Sequence, residues 1–268
     1  MPWASGYIKT NRIQLHYHRT GGDKPVVVLA HGLTDSGLCW TRLARTLEAD
    51  YDLIMVDARG HGLSAVPKTG YSTDDHAADL ADLVQALDLR RPILLGHSMG
   101  AASVAAFGAN HPDRAQKLIL EDPPWRLPDQ HSNEERYAQR MAEWRESLSA
   151  QQQLAHTEII AAGRKHRPNW HDLEFAPWAE AKLQASLNVF AFRPQTEWRA
   201  QTAAIQSPTM LITGDPALGA IVNNEATAAL AASNPMIQIA TIPNAGHNIR
   251  REQFELYLQT IRTFLQMS

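Results

Sequence analysis

Short apolar runs alternate along this chain with longer stretches in which apolar residues return every three or four positions. The opening segment GYIKTNRIQLHYHRT alternates in character around a Thr-Asn pair at positions 10 and 11, which is the pattern of a β-hairpin. PVVVLAHG, YDLIMVDARG, PILLGHS, KLILED, PTMLITGD and IQIATIP follow, each with an apolar, mostly β-branched centre too short for a helix. Between them, LCWTRLARTLEAD, residues 74–89, residues 99–110, NEATAALAAS and a closing stretch from 251 to 266 read as helices. Asp74 and Asp75 open the second of these, and Leu80, Leu83, Val84 and Leu87 share one of its faces. Strands with no polar face, separated by helices, predict an α/β fold: a mostly parallel eight-stranded sheet with helices on both faces.

Residues 123–207 break the alternation. They contain no strand pattern, and they hold five of the seven tryptophans: Trp125, Trp144, Trp170, Trp178 and Trp198. This stretch reads as a helical lid inserted into a core made of residues 1–122 and 208–268. Tryptophans that only fill the insertion would give the same composition, so a few of the five are expected to face a ligand, and Trp125 first among them because it follows the end of a strand so closely.

Charge and composition narrow the function. The 25 basic and 28 acidic side chains give a net charge of −3 with no basic run, which argues against nucleic acid as a partner. Cys39 is the only cysteine, so an internal disulfide is excluded and a reducing compartment suits the chain. The start, MPWASGYIKT, has no apolar leader, and no run approaches a membrane span, so a cytoplasmic protein without a membrane partner is expected, as a monomer or homodimer. There is no G-x-G-x-x-G or Walker loop. His131, His156, His166 and His171 lack metal-ligand spacing, so neither cofactor nor metal is expected.

In a parallel sheet, ligand sites gather at the carboxyl ends of the strands, and the candidate residues all fall there. His31 and Gly32 follow VVVLA, Asp57 follows LIMV, Ser98 follows ILLGH, Asp122 follows LILE, Asp215 follows LITG, and His247 follows the last strand. In LLGHSMGAA, Gly96 and Gly100 flank Ser98, so a tight strand-to-helix turn can expose its hydroxyl at a helix N-terminus. A G-x-S-x-G match alone arises by chance in about one chain in ten of this length, so the other strand ends carry the weight. Asp57, Arg59, His61 and Ser64 in DARGHGLS read mainly as a structural turn.

The order H-G, D-x-R-G-H-G, G-H-S-M-G, acidic residue, G-H resembles the α/β-hydrolase fold superfamily over nearly the whole chain. The resemblance implies that Ser98 is the nucleophile and His247 its general base, and that the backbone N–H groups of Leu33 and Met99 form the oxyanion hole. His31 and Trp125 are the substrate-binding candidates. Serine in place of aspartate argues against dehalogenase and epoxide hydrolase chemistry. The third member is less direct, because Ala217 stands where the usual G-x-x-D turn carries its acid. Asp215 and Asp122 are the two substitutes, and the similarity of LILEDPPW to the acid-bearing segment of zearalenone-type lactonases favours Asp122. The expected activity is hydrolysis of an ester or lactone of a small to medium apolar substrate through an acyl-enzyme. A carbon–carbon bond hydrolase, perhydrolase or lyase of the same fold is the rival, and a ligand receptor without turnover is a rival of another class.

Overall fold

The structure is a computed structural model and describes residues 3–125, 134–194 and 197–267. β1 (Ala4–Lys9) and β2 (Gln14–Arg19) form the hairpin and lead to β3 (Val26–Ala30). A 3-10 turn and α1 (Thr41–Leu47) follow, then β4 (Asp52–Val56), α2 (Thr73–Ala86), β5 (Ile93–His97), α3 (Met99–Asn110) and β6 (Lys117–Glu121). α4 (Glu134–Gln151), α5 (His156–His166), α6 (Asp172–Gln184) and α7 (Trp198–Ala203) come before β7 (Thr209–Thr213). The chain closes with α8 (Asn224–Ser233), β8 (Ile237–Thr241), α9 (Ile249–Glu252) and α10 (Phe254–Gln266).

The eight strands form one sheet in the order β1-β2-β4-β3-β5-β6-β7-β8. β2 runs antiparallel to both its neighbours, and every other pairing is parallel. β4, β5, β6 and β7 are buried at every position, as strands covered on both faces must be. Successive side chains alternate between two cores: Val28, Ile54, Leu94 and Leu118 join one, whereas Val27, Leu29, Leu53 and Leu95 join the other. α10 covers the second core with Phe254, Tyr257, Leu258, Ile261 and Phe264, the stripe that a 3.6-residue period produces.

Several helix boundaries differ from the sequence expectation. α2 is capped by Ser72, whose side chain accepts from Asp75 N–H while the Asp75 carboxylate accepts from Ser72 N–H. The closing stretch is two helices, because Gln253 adopts φ −134°, ψ 58° between α9 and α10. Among the described residues between β6 and β7 the only strand-like pairing is a single bridge from Arg193 to Ser72. No helix among them is long and apolar enough to cross a membrane.

Candidate active site

Ser98 occupies the turn from β5 into α3 with φ 52° and ψ −116°, a region that a non-glycine residue enters only when its surroundings impose it. Gly96 and Gly100 are what make the turn fit. A Cβ on Gly96 would collide with the Gly100 carbonyl, and one on Gly100 with the Ala30 carbonyl. The Ser98 N–H donates to Glu121 O at 2.8 Å, and Ala102 N–H donates back to Ser98 O at 3.0 Å, so the turn is fixed to β6 on one side and to its own helix on the other.

The Ser98 hydroxyl lies 3.0 Å from His247 Nε2, and the other ring nitrogen donates to Asp122 Oδ2 at 2.6 Å. Asp122 is fully buried at the tip of β6, with φ 41° turning it inward. Ile221 N–H and Val222 N–H both donate to its carboxylate, at 2.8 and 3.0 Å. His247 is held from behind: His97 Nε2 donates to the His247 carbonyl at 3.0 Å, and the two rings lie 4.8 Å apart.

Asp215 does not join this chain of bonds. It is exposed and accepts from Ala217 N–H at 2.8 Å, capping the 3-10 turn Pro216–Leu218. Pro216 turns the chain straight into that short helix, and what this loop supplies to the site is the pair of N–H groups on Asp122.

The loop after β3 approaches Ser98 closely: a Cβ on Gly32 would sit 3.3 Å from Ser98 Cβ and 2.8 Å from His97 Nδ1. Two neutral histidines brace it. His31 accepts from Ala58 N–H at 3.0 Å and donates to Gly32 O at 2.8 Å, and His61 accepts from Thr34 N–H at 3.2 Å while donating to Arg59 O. Burial lowers both imidazoles, His61 down to about 3, so both stay uncharged. His31 is therefore a brace under the loop and does not line the cavity over Ser98, contrary to its expected role.

Lys182 of α6 reaches the same loop and donates to the Thr34 carbonyl at 2.7 Å and hydroxyl at 2.8 Å. Its ammonium is also 3.7 Å from Asp35, which pairs with Arg251 at 3.1 Å and Arg250 at 3.5 Å. Burial pushes the Asp35 carboxyl up, but Arg251, Lys182 and Arg250 outweigh it and hold the group well below the usual carboxylate range. Arg251 pairs in turn with Glu174 of α6 at 3.2 Å, and Arg250 with Glu121 of β6 at 3.4 Å.

A cavity of about 300 Å³ opens over Ser98 and His247. Leu33, Trp144, Trp170 and Trp178 line it together with Asp35, Arg167, Lys182 and Arg251, so its wall is mixed and not the apolar surface expected. Trp125 and Trp198 are elsewhere: their rings stack at 5.4 Å with an interplanar angle of 12°, inside the core under the sheet. The substrate-binding expectation for Trp125 is thus corrected. After Asp122 the chain turns on Pro123, whose carbonyl takes Trp125 N–H at 2.7 Å, and the indole is directed into the core.

The model of the alpha/beta hydrolase fold family matches residues 25–250. The chain belongs to that family. This α/β hydrolase is 28% identical over 98% of its length to N-formylmaleamate deformylase of Pseudomonas putida, 96% of which is covered. It is 35% identical to 2-(acetamidomethylene)succinate hydrolase of Mesorhizobium japonicum over 45% of this chain and 43% of that protein. The crystal structure of E-2-(acetamidomethylene)succinate hydrolase superposes with a TM-score of 0.83, at 24% identity, over 99% of this chain and 100% of that one. Sequence reasoning missed His97, Asp35, Arg167, Glu174, Lys182 and Arg251. No local pattern in the sequence marks them, because they come together only in the folded chain. His16, His18 and Asp57 also bring ligand atoms within 4.8 Å of one another, but Asp57 already accepts from Gly37 N–H, Leu63 N–H and His16.

Proposed function

We propose that this α/β hydrolase cleaves a carboxylic ester, lactone or amide through an acyl-enzyme on Ser98. The observation that carries the reading is the unbroken chain from Asp122 through His247 to the Ser98 hydroxyl, at 2.6 and 3.0 Å. As Ser98 Oγ attacks the carbonyl carbon, its proton passes to His247 Nε2, and the imidazolium is stabilised by Asp122. The carbonyl oxygen gains charge, and the N–H groups of Leu33 and Met99 are the donors assigned to it, one from the braced loop and one from the first turn of α3. His247 then gives the proton to the leaving oxygen or nitrogen. Water enters, loses a proton to His247, and releases the acid, with the proton returning to Ser98.

An amide is included beside the ester and lactone because the relative similar over 98% of the chain is named a deformylase of an N-formyl compound. The insertion serves in this reading as a lid, since α4, α5 and α6 supply the cavity wall facing Ser98. The test is intact-protein mass spectrometry after exposure to a fluorophosphonate. One adduct, mapped to Ser98 and absent in Ser98→Ala, is the expected result. Turnover of an activated aryl ester should fall by about a million-fold in that variant. A Ser98→Ala protein that turns over within tenfold of the parent would rule the mechanism out.

A further inference from the structure

The buried charges beside the cavity balance in number. Lys182, Arg250 and Arg251 face Asp35, Glu121 and Glu174, each cation within 4.0 Å of at least one carboxylate. Arg167 stands outside this balance. It is the residue that ends α5, it is half-buried, and it lines the same cavity as Ser98 and His247. Among the described residues no carboxylate forms an ion pair with it. The acidic groups whose charge it feels are Asp35 and Glu252. Asp35 is already shared by three cations, and the Glu252 carboxylate accepts from Gly246 N–H at 2.5 Å.

What Arg167 does touch is aromatic. Its guanidinium lies over the Trp170 ring, 4.9 Å from the centroid, and 5.5 Å from that of Trp178, and these two rings are mutually perpendicular. A guanidinium packed by its face keeps its in-plane N–H fork free, and that fork matches the two oxygens of a carboxylate. Burial, and then the neighbouring charge of Arg251, disfavour the cation here, so an anion from outside the chain has a charge to neutralise.

Resting on the acyl-enzyme reading above, we propose that Arg167 is the carboxylate-binding residue of the cavity, and that the substrate is an acyl compound carrying a second, free carboxylate, such as the half-ester or half-amide of a short dicarboxylic acid. One uncompensated cation suits a monoanion better than a phosphate dianion. Short length follows from a volume of about 300 Å³ that must hold both the anchored carboxylate and the carbonyl at Ser98.

The experiment compares kcat/KM for 4-nitrophenyl hydrogen succinate with that for its neutral methyl ester, in the parent, Arg167→Gln and Arg167→Lys. The parent is expected to prefer the anion, and Arg167→Gln to lower the anion-to-neutral ratio by about 100-fold, mainly through KM. Arg167→Lys, which keeps the charge and loses the fork, should fall between them. A parent without preference, or a Gln variant that loses both substrates equally, overturns the proposal. If no fluorophosphonate adduct forms at Ser98, the acyl-enzyme reading fails separately, and calorimetric titration with succinate then tests the site. Binding lost in Arg167→Gln supports it, and equal binding in both proteins overturns it.

Discussion

Asp122 and Asp215 follow adjacent parallel strands, yet only Asp122 reaches His247, and the loop that begins at Asp215 donates two N–H groups to the Asp122 carboxylate. The two acids differ in job as much as in distance. Asp122→Asn keeps an acceptor for Ile221 and Val222 but sets the wrong tautomer on His247, so kcat should fall by about 10⁴ with little loss of fold. Asp215→Asn keeps an acceptor for Ala217 N–H at an exposed position away from His247, and should leave kcat within about threefold of the parent. Parallel rate measurements on an activated aryl ester decide the matter, and equal losses in the two variants would count against the assignment.

Asp35 gathers three cations in a buried site. Asp35→Asn leaves Lys182, Arg250 and Arg251 facing only Glu121 and Glu174, and should cost on the order of 3–5 kcal/mol in urea unfolding. Adding Lys182→Met removes the stranded cation, so the double variant should be more stable than the sum of the two single losses. Strict additivity would mean that the charges do not act as one network.

Trp125 and Trp170 should respond oppositely. Trp125→Ala opens the core stack with Trp198 and should destabilise by about 3–5 kcal/mol, while the ligand-induced change in tryptophan fluorescence persists. Trp170→Ala removes part of the cavity wall and the platform under Arg167, so that fluorescence change should shrink. A Trp125→Ala variant of parental stability with altered binding would contradict the placement.

The buried histidines set an acid limit. Burial is the main cause that holds His31, His61, His76 and His97 below the ordinary imidazole value, with His61 near 3. In the unfolded chain they take up protons near pH ~6.5, so from there downward the unfolded state binds more protons than the folded one. Their contribution is complete above that pH and is lost as pH falls. Asp79 and Glu121, raised chiefly by burial, act in the opposite sense closer to the carboxylate range. Urea midpoints compared at about pH 7 and about pH 5.5 should therefore fall on acidification, with net proton uptake on unfolding in calorimetry. A midpoint that is level or rises on acidification would refute this.

The strands and the Ser98 turn were legible because both are local. DLIMV, ILLGH and TMLIT can only be buried, and the glycines beside Ser98 announce a close approach of backbones. Asp122 was less so, since its competitor Asp215 lies at an equivalent strand end and only the course of the chain after Pro216 separates them. Trp125 misled for a related reason. Its nearness in sequence to Asp122 says nothing about which way the chain turns at Pro123. The charge network left no trace, because Asp35, the α6 residues Glu174 and Lys182, and Arg251 come from three distant segments and meet only when α6 packs on the loop after β3.

That packing has a consequence for any attempt to exchange parts of this protein. α6 is tied by Lys182 to the loop after β3 and by Glu174 to α9, whereas Trp144 of α4 and Leu154 beyond it are both 41% exposed at the rim of the cavity. The helices described between β6 and β7 are thus not a single interchangeable module. A replacement for the segment from 134 to 166 would have to keep the contacts that Gln152, Ile159 and Gly163 make with α6 and its C-terminal turn, and a graft that also replaces α6 would have to bring matching partners for Thr34, Asp35 and Arg251.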